Sequence, residues 1–247
     1  MSEEAFASLL PKLRPWTDYL YFHIMGEPLC HPKLEIFLQM AGRAGFRVIL
    51  TTNGTLLSQK KEILKASALH KVNISLHAFE ANDLAVPFTE YLQGCFAFGQ
   101  AAQGSPIISY RLWNHGGQDK KNEEILTQMH RAFPGDWVQE GRGIRLADHV
   151  YLEHGDKFDW PDLSAEDYGE QVFCYGLQDQ IGVLCDGTVV PCCLDHEGDI
   201  PLGNLFRQEM QEILATSRAQ AIFQGFQQGK ASEPLCRRCG YARRFRK

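Results

Sequence analysis

The feature that most constrains the fold is a regular alternation of strand-like and helix-like segments in the N-terminal part of the chain. Strands are predicted at residues 19–25, 46–52, 71–76 and 107–112, with a last one near 143–146. Helices are predicted at residues 57–68, 90–101 and 123–133, and two earlier helices begin after Ser2 and at Pro32. Short connections between such elements predict βα units and a parallel sheet. In folds of this kind the chemistry lies on the loops that follow the strands.

The composition is that of an ordinary globular protein, and it disfavours several classes of partner. The chain has 247 residues, of which 44% are hydrophobic and 22% charged, a mix typical of a folded globular domain. Because the formal net charge is −5, a global positive field for nucleic acid is not expected. The longest apolar runs are too short to cross a bilayer, and the acidic start at Glu3 and Glu4 does not resemble a signal peptide. The sequence therefore predicts a cytoplasmic protein with no membrane or nucleic-acid partner.

The pattern changes in the second part of the chain. Residues 155–172 are polar, acidic and aromatic without a clear period, which indicates a linker. Beyond it, residues 180–184 and 188–190 flank Asp186-Gly187, a strong signal for a two-residue β-hairpin turn. Helices are predicted at residues 206–214 and 218–226. We therefore expect a first domain over residues 1–154, a linker over 155–172 and a second domain over 173–247.

Cysteines are concentrated in this second domain. Six of the eight cysteines follow residue 170. In a cytoplasmic protein such a cluster indicates a metal or an iron–sulfur site rather than disulfides. The predicted hairpin brings Cys174 close to Cys192, and Cys236 with Cys239 forms a Cys-x-x-Cys pair. Four thiolates suit a tetrahedral zinc ion or a [4Fe–4S] cluster, and the spacing alone does not distinguish them.

The choice between the adjacent cysteines 192 and 193 follows from strand geometry. Neighbouring side chains in a regular strand point to opposite faces, so only one of the two is easily a ligand. Cys192 is favoured because it follows Gly187 at a short offset, Gly-x4-Cys. The remaining cysteines are expected to be packed or surface residues: Cys30, Cys95 and Cys185.

Several strand-end motifs resemble the radical S-adenosylmethionine (SAM) superfamily. Residues 21–29 resemble the second-strand motif of that family, G-G-E-P, with Met25 in place of the first glycine. Residues 51–57 resemble the third strand and its loop, and residues 73–77 resemble the fourth strand. Arg111 resembles a basic residue often found at the end of the fifth. The resemblance implies a partial (β/α)6 TIM-like barrel that lacks its first strand.

The C-terminal residues resemble a SPASM/twitch domain, a small α+β iron–sulfur module. The resemblance rests on a cysteine, a Gly-x4-Cys and a Cys-x2-Cys in that order. It implies that one auxiliary [4Fe–4S] cluster is bound by Cys174, Cys192, Cys236 and Cys239. It also implies that SAM is bound, in the complete enzyme, by Gly26, Glu27, Pro28, Ser75 and Arg111.

The sequence departs from the family at one decisive point. Radical SAM enzymes hold their catalytic cluster with a Cys-x3-Cys-x2-Cys loop, and the 247 residues contain no such run. The resemblance therefore implies an N-terminally truncated enzyme with no catalytic residues of its own for SAM cleavage. Its implied partners are a substrate of unidentified class, with peptides among the candidates, and an external electron donor. Two alternatives stay open: a non-catalytic iron–sulfur electron-transfer or substrate-binding protein, and a zinc-stabilised binding module.

Overall fold

The structure is a computed structural model that describes residues 1–65, 68–82, 86–102 and 104–245. It divides into two compact units, one formed by Trp16–Lys157 and the other by Met1–Pro15 together with Phe158–Lys247. Within the described residues, no helix combines the length and the hydrophobicity needed to cross a membrane.

As far as residue 132 the main helices and strands alternate as the sequence predicts, with one added short helix at Ala78–Ala81, and three consecutive strands follow. In chain order these elements are α1 (Glu3–Leu13), β1 (Tyr19–Phe22), α2 (Leu34–Arg43), β2 (Arg47–Thr52), α3 (Leu57–Lys65), β3 (Leu69–Ser75), α4 (Ala78–Ala81), α5 (Phe88–Ala101), β4 (Ile107–His115), α6 (Asn122–Ala132), β5 (Val138–Glu140), β6 (Gly143–Ala147) and β7 (Val150–Asp156). The predicted continuation of α3 through residues 66 and 67 lies outside the described residues.

The remaining elements are shorter. They are β8 (Gly182–Val183), β9 (Thr188–Val190), β10 (Gly203–Asn204), α7 (Met210–Leu214), α8 (Ser217–Gln227) and α9 (Pro234–Arg237). Two short 3-10 helices, Pro28–Cys30 and Ala242–Phe245, complete the described elements.

The unit formed by Trp16–Lys157 is built on a seven-stranded sheet in the order β1-β2-β3-β4-β7-β6-β5. The first five strands of that order are parallel, and β6 and β5 run antiparallel to their neighbours. Strand β1 forms one edge of this sheet. The arrangement confirms the expected α/β class with a mainly parallel sheet.

The two faces of this sheet have opposite character because side chains alternate along each strand. On one face Val72, Ile74 and Ile108 are fully buried, and Tyr110 packs edge-on against Phe96 of α5. Full burial of each such aliphatic side chain contributes about 1.5–3 kcal/mol. The other face is polar and includes residues 71, 73 and 75 of β3 and residues 109 and 111 of β4. The carboxyl end of this polar face is where a binding site is expected.

The sequence did not predict the strand β7. It predicted a strand near residues 143–146, and β6 does form there, but β6 is antiparallel to β7. The parallel neighbour of β4 is instead β7, where Val150 and Leu152 alternate with partly exposed residues. Pairing with β4 on one side and with β6 on the other fixes that short segment as a strand.

The unit boundaries differ from the sequence-based ones at both ends. Helix α1, which was grouped with residues 1–154, is capped by Ser2 and joins the C-terminal residues. Lys12 of α1 donates to the carbonyl of Gln208 at 3.0 Å and forms an ion pair with Glu209 at 2.9 Å. Strand β7 extends to residue 156, and the compact C-terminal unit begins at Phe158, inside the segment expected to be a linker.

Candidate metal centre and ligand-binding edge

The hairpin predicted around Asp186-Gly187 forms, and it organises the cysteine-rich unit. Strands β8 and β9 pair antiparallel, and the carbonyl of Thr188 accepts from the backbone N–H of Leu184 at 2.9 Å. Gly187 has a φ of 85°, a left-handed conformation that glycine adopts without strain. Just after β9, the carbonyl of Pro191 accepts from the backbone N–H of Leu177 at 3.2 Å. This bond brings the segment before the hairpin alongside the segment after it.

The four cysteines expected to be ligands line one cavity. Cys174 lies before the hairpin and Cys192 after it, while Cys236 and Cys239 come from α9 and the turn that follows it. The rest of the wall is mainly apolar and includes Val172, Pro191, Leu194, Ile200, Phe226 and Leu235. The structure therefore brings together three separate segments of the chain as the sequence spacing anticipated.

Burial in this cavity raises the pKa of all four thiols. Burial is the largest cause in each case, and it raises the pKa of Cys192 to about 12. The pKa of Cys236 lies well above its ordinary value, because burial is joined by the charges of Cys192 and Cys174. The backbone N–H of Gly176 donates to Cys174 Sγ at 3.4 Å, which only partly offsets burial. Four thiolates can coexist here only when a bound cation or cluster compensates their charge.

The donor set is four thiols on one cavity, which in kind and number suits a zinc ion or an iron–sulfur cluster. Among the described residues, no three His, Cys, Asp or Glu side chains already form the ligand set of one ion. A tetrahedral zinc ion, with Zn–S bonds of about 2.3 Å, would require sulfur atoms about 3.8 Å apart. In a [4Fe–4S] cluster each thiolate binds a different iron, so the four thiolates surround a wider volume. Four thiols around a common apolar cavity satisfy that requirement in kind and number.

The other cysteines lie apart from this wall. Cys193 Sγ is 3.7 Å from Gln180 Oε1, and Cys193 is not among the residues that line the cavity. Cys30 and Cys185 are exposed. Cys95 is fully buried in α5, and its burial raises the pKa of its thiol to about 12.

A second candidate site lies at the carboxyl ends of the parallel strands, beginning with the loop after β1. The Glu27 carboxylate accepts hydrogen bonds from Thr52 Oγ1 at 2.8 Å, from Asn53 N at 2.7 Å and from Leu29 N at 3.0 Å. It therefore joins the loop after β1 to the end of β2, and Pro28 begins the short 3-10 helix beside it. The Glu27 carboxylate is thus bonded within the protein, and a ligand at this loop would meet mainly its backbone.

Gly26 has the properties that close approach of a ligand requires. Its φ is 88°, in the left-handed region, and no atom lies within 4 Å of the position that a Cβ would occupy. The space beside the loop is therefore open, and a side chain there would strain the backbone.

Ser75 and Arg111 lie side by side, because they are register partners in the pairing of β3 with β4. Arg111 Nε is 3.5 Å from Glu153 Oε2, and the guanidinium lies 4.4 Å from the centre of the Trp113 ring. Glu153 also accepts from Lys71 Nζ at 2.8 Å. Two cations thus share one carboxylate, and the excess positive charge suits an anionic ligand group such as a carboxylate.

Two buried polar side chains on this face were not identified from the sequence as site residues. His23 Nδ1 and Asn73 Oδ1 are buried, and neither has a hydrogen-bond partner within the described part of the chain. Burial, and secondarily the charge of Arg111, lowers the pKa of His23 to about 4, so the ring is neutral at pH 7. Both lie within the quoted motifs, His23 in residues 21–29 and Asn73 in residues 73–77, but the resemblance implied no role for either.

Comparison with protein-family models identifies the C-terminal region. A model of the SPASM family, described as an iron–sulfur cluster-binding domain, matches residues 174–240. This match begins at Cys174 and includes Cys192, Cys236 and Cys239.

Comparison with solved structures gives the fold of nearly the whole chain. The structure of BtrN in complex with AdoMet and 2-DOIA aligns with a TM-score of 0.58 at 17% identity, covering 97% of this chain and 80% of that one. BtrN in an open conformation aligns with a TM-score of 0.57 at 18% identity, covering 97% and 79%. SuiB from Streptococcus suis aligns with a TM-score of 0.60 at 11% identity, covering 96% of this chain and 65% of that one. At these identities the likeness shows a shared fold alone. The chain therefore has the fold of BtrN and SuiB, and its residues 174–240 match the SPASM iron–sulfur cluster-binding domain.

Proposed function

We propose that the C-terminal unit holds one [4Fe–4S] cluster through Cys174, Cys192, Cys236 and Cys239. The observation that supports this most directly is the convergence of these four thiols on one cavity inside a domain that matches an iron–sulfur family. A single cluster corresponds to the twitch type of module. The mainly apolar wall surrounds the thiols, and the backbone N–H of Gly176 would stabilise the charge on Cys174.

We further propose that the barrel binds SAM at the carboxyl ends of its strands. The support is that structures of BtrN and SuiB with this fold contain AdoMet and S-adenosylmethionine, respectively. The loop formed by Gly26, Glu27 and Pro28 would offer backbone carbonyls to the ammonium group, and Ser75 with Arg111 would bind the carboxylate. Bound SAM supplies the radical chemistry of such enzymes. The residues of this chain bind and orient it.

The function proposed on this basis is SAM-dependent radical modification of a substrate, with the C-terminal cluster as an auxiliary centre. A peptide is one candidate substrate, and an external carrier would donate the electron. Because the 247 residues contain no Cys-x3-Cys-x2-Cys run, SAM cleavage would require cysteines from outside them. The same observation favours the second candidate, a non-catalytic iron–sulfur protein. If these residues alone formed 5′-deoxyadenosine from SAM and a strong reductant, the proposal that SAM cleavage requires cysteines from outside them would be contradicted.

The experiment that tests the cluster compares two adjacent cysteines. Anaerobic reconstitution of the chain should give about four irons and four sulfides per protein, as expected for one cubane. Cys192→Ala should lose most of this iron, whereas Cys193→Ala is the matched control and should keep it. Stoichiometric zinc without acid-labile sulfide would overturn the cluster in favour of the zinc-stabilised module. Equal loss in the two variants would overturn the assignment of Cys192.

A further inference from the structure

Arg218 lies between the two chain segments that provide cysteines to the cavity. It is the second residue of α8, and its guanidinium forms a bidentate pair with Glu233: Nε donates to Oε1 and Nη2 donates to Oε2, both at 2.8 Å. The same guanidinium donates to the backbone carbonyls of Pro201 at 3.2 Å and Asp199 at 3.5 Å. One side chain therefore connects the loop that precedes β10 with the residue that precedes α9.

The Glu233 end of this connection leads to Cys236. Glu233 is the N-cap residue of α9, and its carbonyl accepts from the backbone N–H of Arg237 at 3.3 Å. Cys236 lies in that single helical turn. Movement of Glu233 would therefore move Cys236.

The other end leads to Cys192 through Asp195. The Asp195 carboxylate, with the residue only 1% exposed, accepts from Asp199 N at 2.8 Å and from Ile200 N at 2.9 Å. Asp195 and Ile200 both line the cysteine cavity. The loop at residues 199–201, whose carbonyls accept from Arg218, is thus also bonded to the carboxylate of Asp195, three residues after Cys192.

We propose that Asp195, Arg218 and Glu233 are positioning residues that together fix the separation of Cys192 and Cys236. We call this set the Asp195–Arg218–Glu233 strut. The inference rests on the proposed cluster and extends it, because the strut controls how firmly the cluster is held and at what potential it is reduced. Groups outside the ligand shell that orient metal ligands typically affect metal affinity by about 10-fold to 100-fold.

The geometry distinguishes this strut from an ordinary surface ion pair. Exposed ion pairs contribute little to stability, because solvent screens their charges and two flexible side chains must be ordered. Here the Glu233 side chain is only 13% exposed, the Arg218 contact is bidentate, and the guanidinium also satisfies two carbonyls. Lysine cannot reproduce that planar set of donors.

The strut also predicts that the loss of Arg218 and the neutralisation of Glu233 shift the reduction potential of the cluster in opposite directions. Reduction adds one electron, and hence negative charge, to a cluster already bound by four thiolates. Removal of Arg218 takes away a positive charge and leaves the Glu233 carboxylate without its ion-pair partner, so the potential should fall. Glu233→Gln removes a negative charge while keeping a similar shape, so the potential should rise. A role limited to folding stability would not produce shifts of opposite sign.

The test uses the full chain after anaerobic reconstitution. Iron release to a ferrous chelator should be about 10-fold to 100-fold faster in Arg218→Ala, and Arg218→Lys should lie between it and the unsubstituted chain. The matched control is Arg145→Ala, which removes another Arg–Glu pair, with Glu140 at 3.0 Å, in the other unit. It should release iron at the unsubstituted rate. Midpoint potentials of the cluster are measured by redox titration, with its reduction monitored by electron paramagnetic resonance.

Two outcomes would overturn the proposed positioning role of the strut. One is release of iron by Arg218→Ala at the same rate as Arg145→Ala. The other, decisive even where Arg218→Ala does not fold, is an unchanged potential in Glu233→Gln. Failure of the unsubstituted chain to take up iron and sulfide would instead overturn the proposed cluster itself, so the two failures are distinguishable.

Discussion

The hydrogen bonds of Glu27 make a quantitative prediction about the ligand-binding edge. If Glu27 joins two loops within the protein, Glu27→Ala should destabilise the chain even without any ligand. The change removes three hydrogen bonds to a charged acceptor, from Thr52, Asn53 and Leu29. Each such bond contributes about 1.5–3 kcal/mol, and water entering the space left by the side chain recovers part of the loss. We expect a net cost of about 3 kcal/mol.

The assay measures the free energy of unfolding in urea, with unfolding monitored by circular dichroism and tryptophan fluorescence. Glu35→Ala is the matched control, because Glu35 is an exposed glutamate of α2 whose bond to Gln39 Nε2, at 3.3 Å, is also exposed. Its cost should stay within about 0.5 kcal/mol. A double-mutant cycle with Thr52→Val should give a coupling energy of about 1–2 kcal/mol, since the two side chains bond directly at 2.8 Å. A cost for Glu27→Ala no larger than that of Glu35→Ala would refute the reasoning.

Two further predictions concern the barrel unit. A Cβ on Gly99 would lie 2.1 Å from the hydroxyl of the fully buried Tyr110, so Gly99→Ala should cost about 1–3 kcal/mol. Gly94→Ala in the same helix should cost less, because the Ser58 Oγ that lies 2.6 Å from its Cβ position belongs to an exposed side chain that can rotate away; equal effects in thermal unfolding would contradict this. The pKa of His23 is lowered from 6.5 to about 4, so the unfolded chain binds this proton at higher pH than the folded chain does. Stability should therefore fall by about 3 kcal/mol as pH decreases from about 6.5 to about 4, and His23→Gln should lack this loss; parallel pH profiles of the two proteins would refute it.

Much of the local structure was predictable because it is set by short-range patterns. Phe6, Leu9, Leu10 and Leu13 repeat at helical spacing, and they are the buried residues of α1. Asp186-Gly187 specifies a tight turn, and β8 and β9 pair around it. The Cys-x-x-Cys pair and the hairpin together pointed to four particular cysteines as one site, and in the structure these four line one cavity. Their role as ligands stays a prediction.

Contacts between distant segments were not predictable from these patterns. Val150–Asp156 is a strand because it pairs with β4 and with β6, and α1 joins the C-terminal unit through the contacts of Lys12. The sequence motif marked Glu27 as a binding residue, and only the structure shows its carboxylate bonded to the end of β2.

The sequence by itself determined most strands and helices of the N-terminal part, the hairpin and the Cys-x-x-Cys pair, because periodicity and turn chemistry act over a few residues. The tertiary structure decided which strands pair, which unit includes α1, and that Arg218 connects the segments of Cys192 and Cys236. Arg218 and Glu233 are 15 residues apart in sequence, and no local rule selects that pair over another. Their partnership depends on the packing of α8 and α9 around the cavity, since burial and long-range hydrogen bonds exist only once the chain is folded.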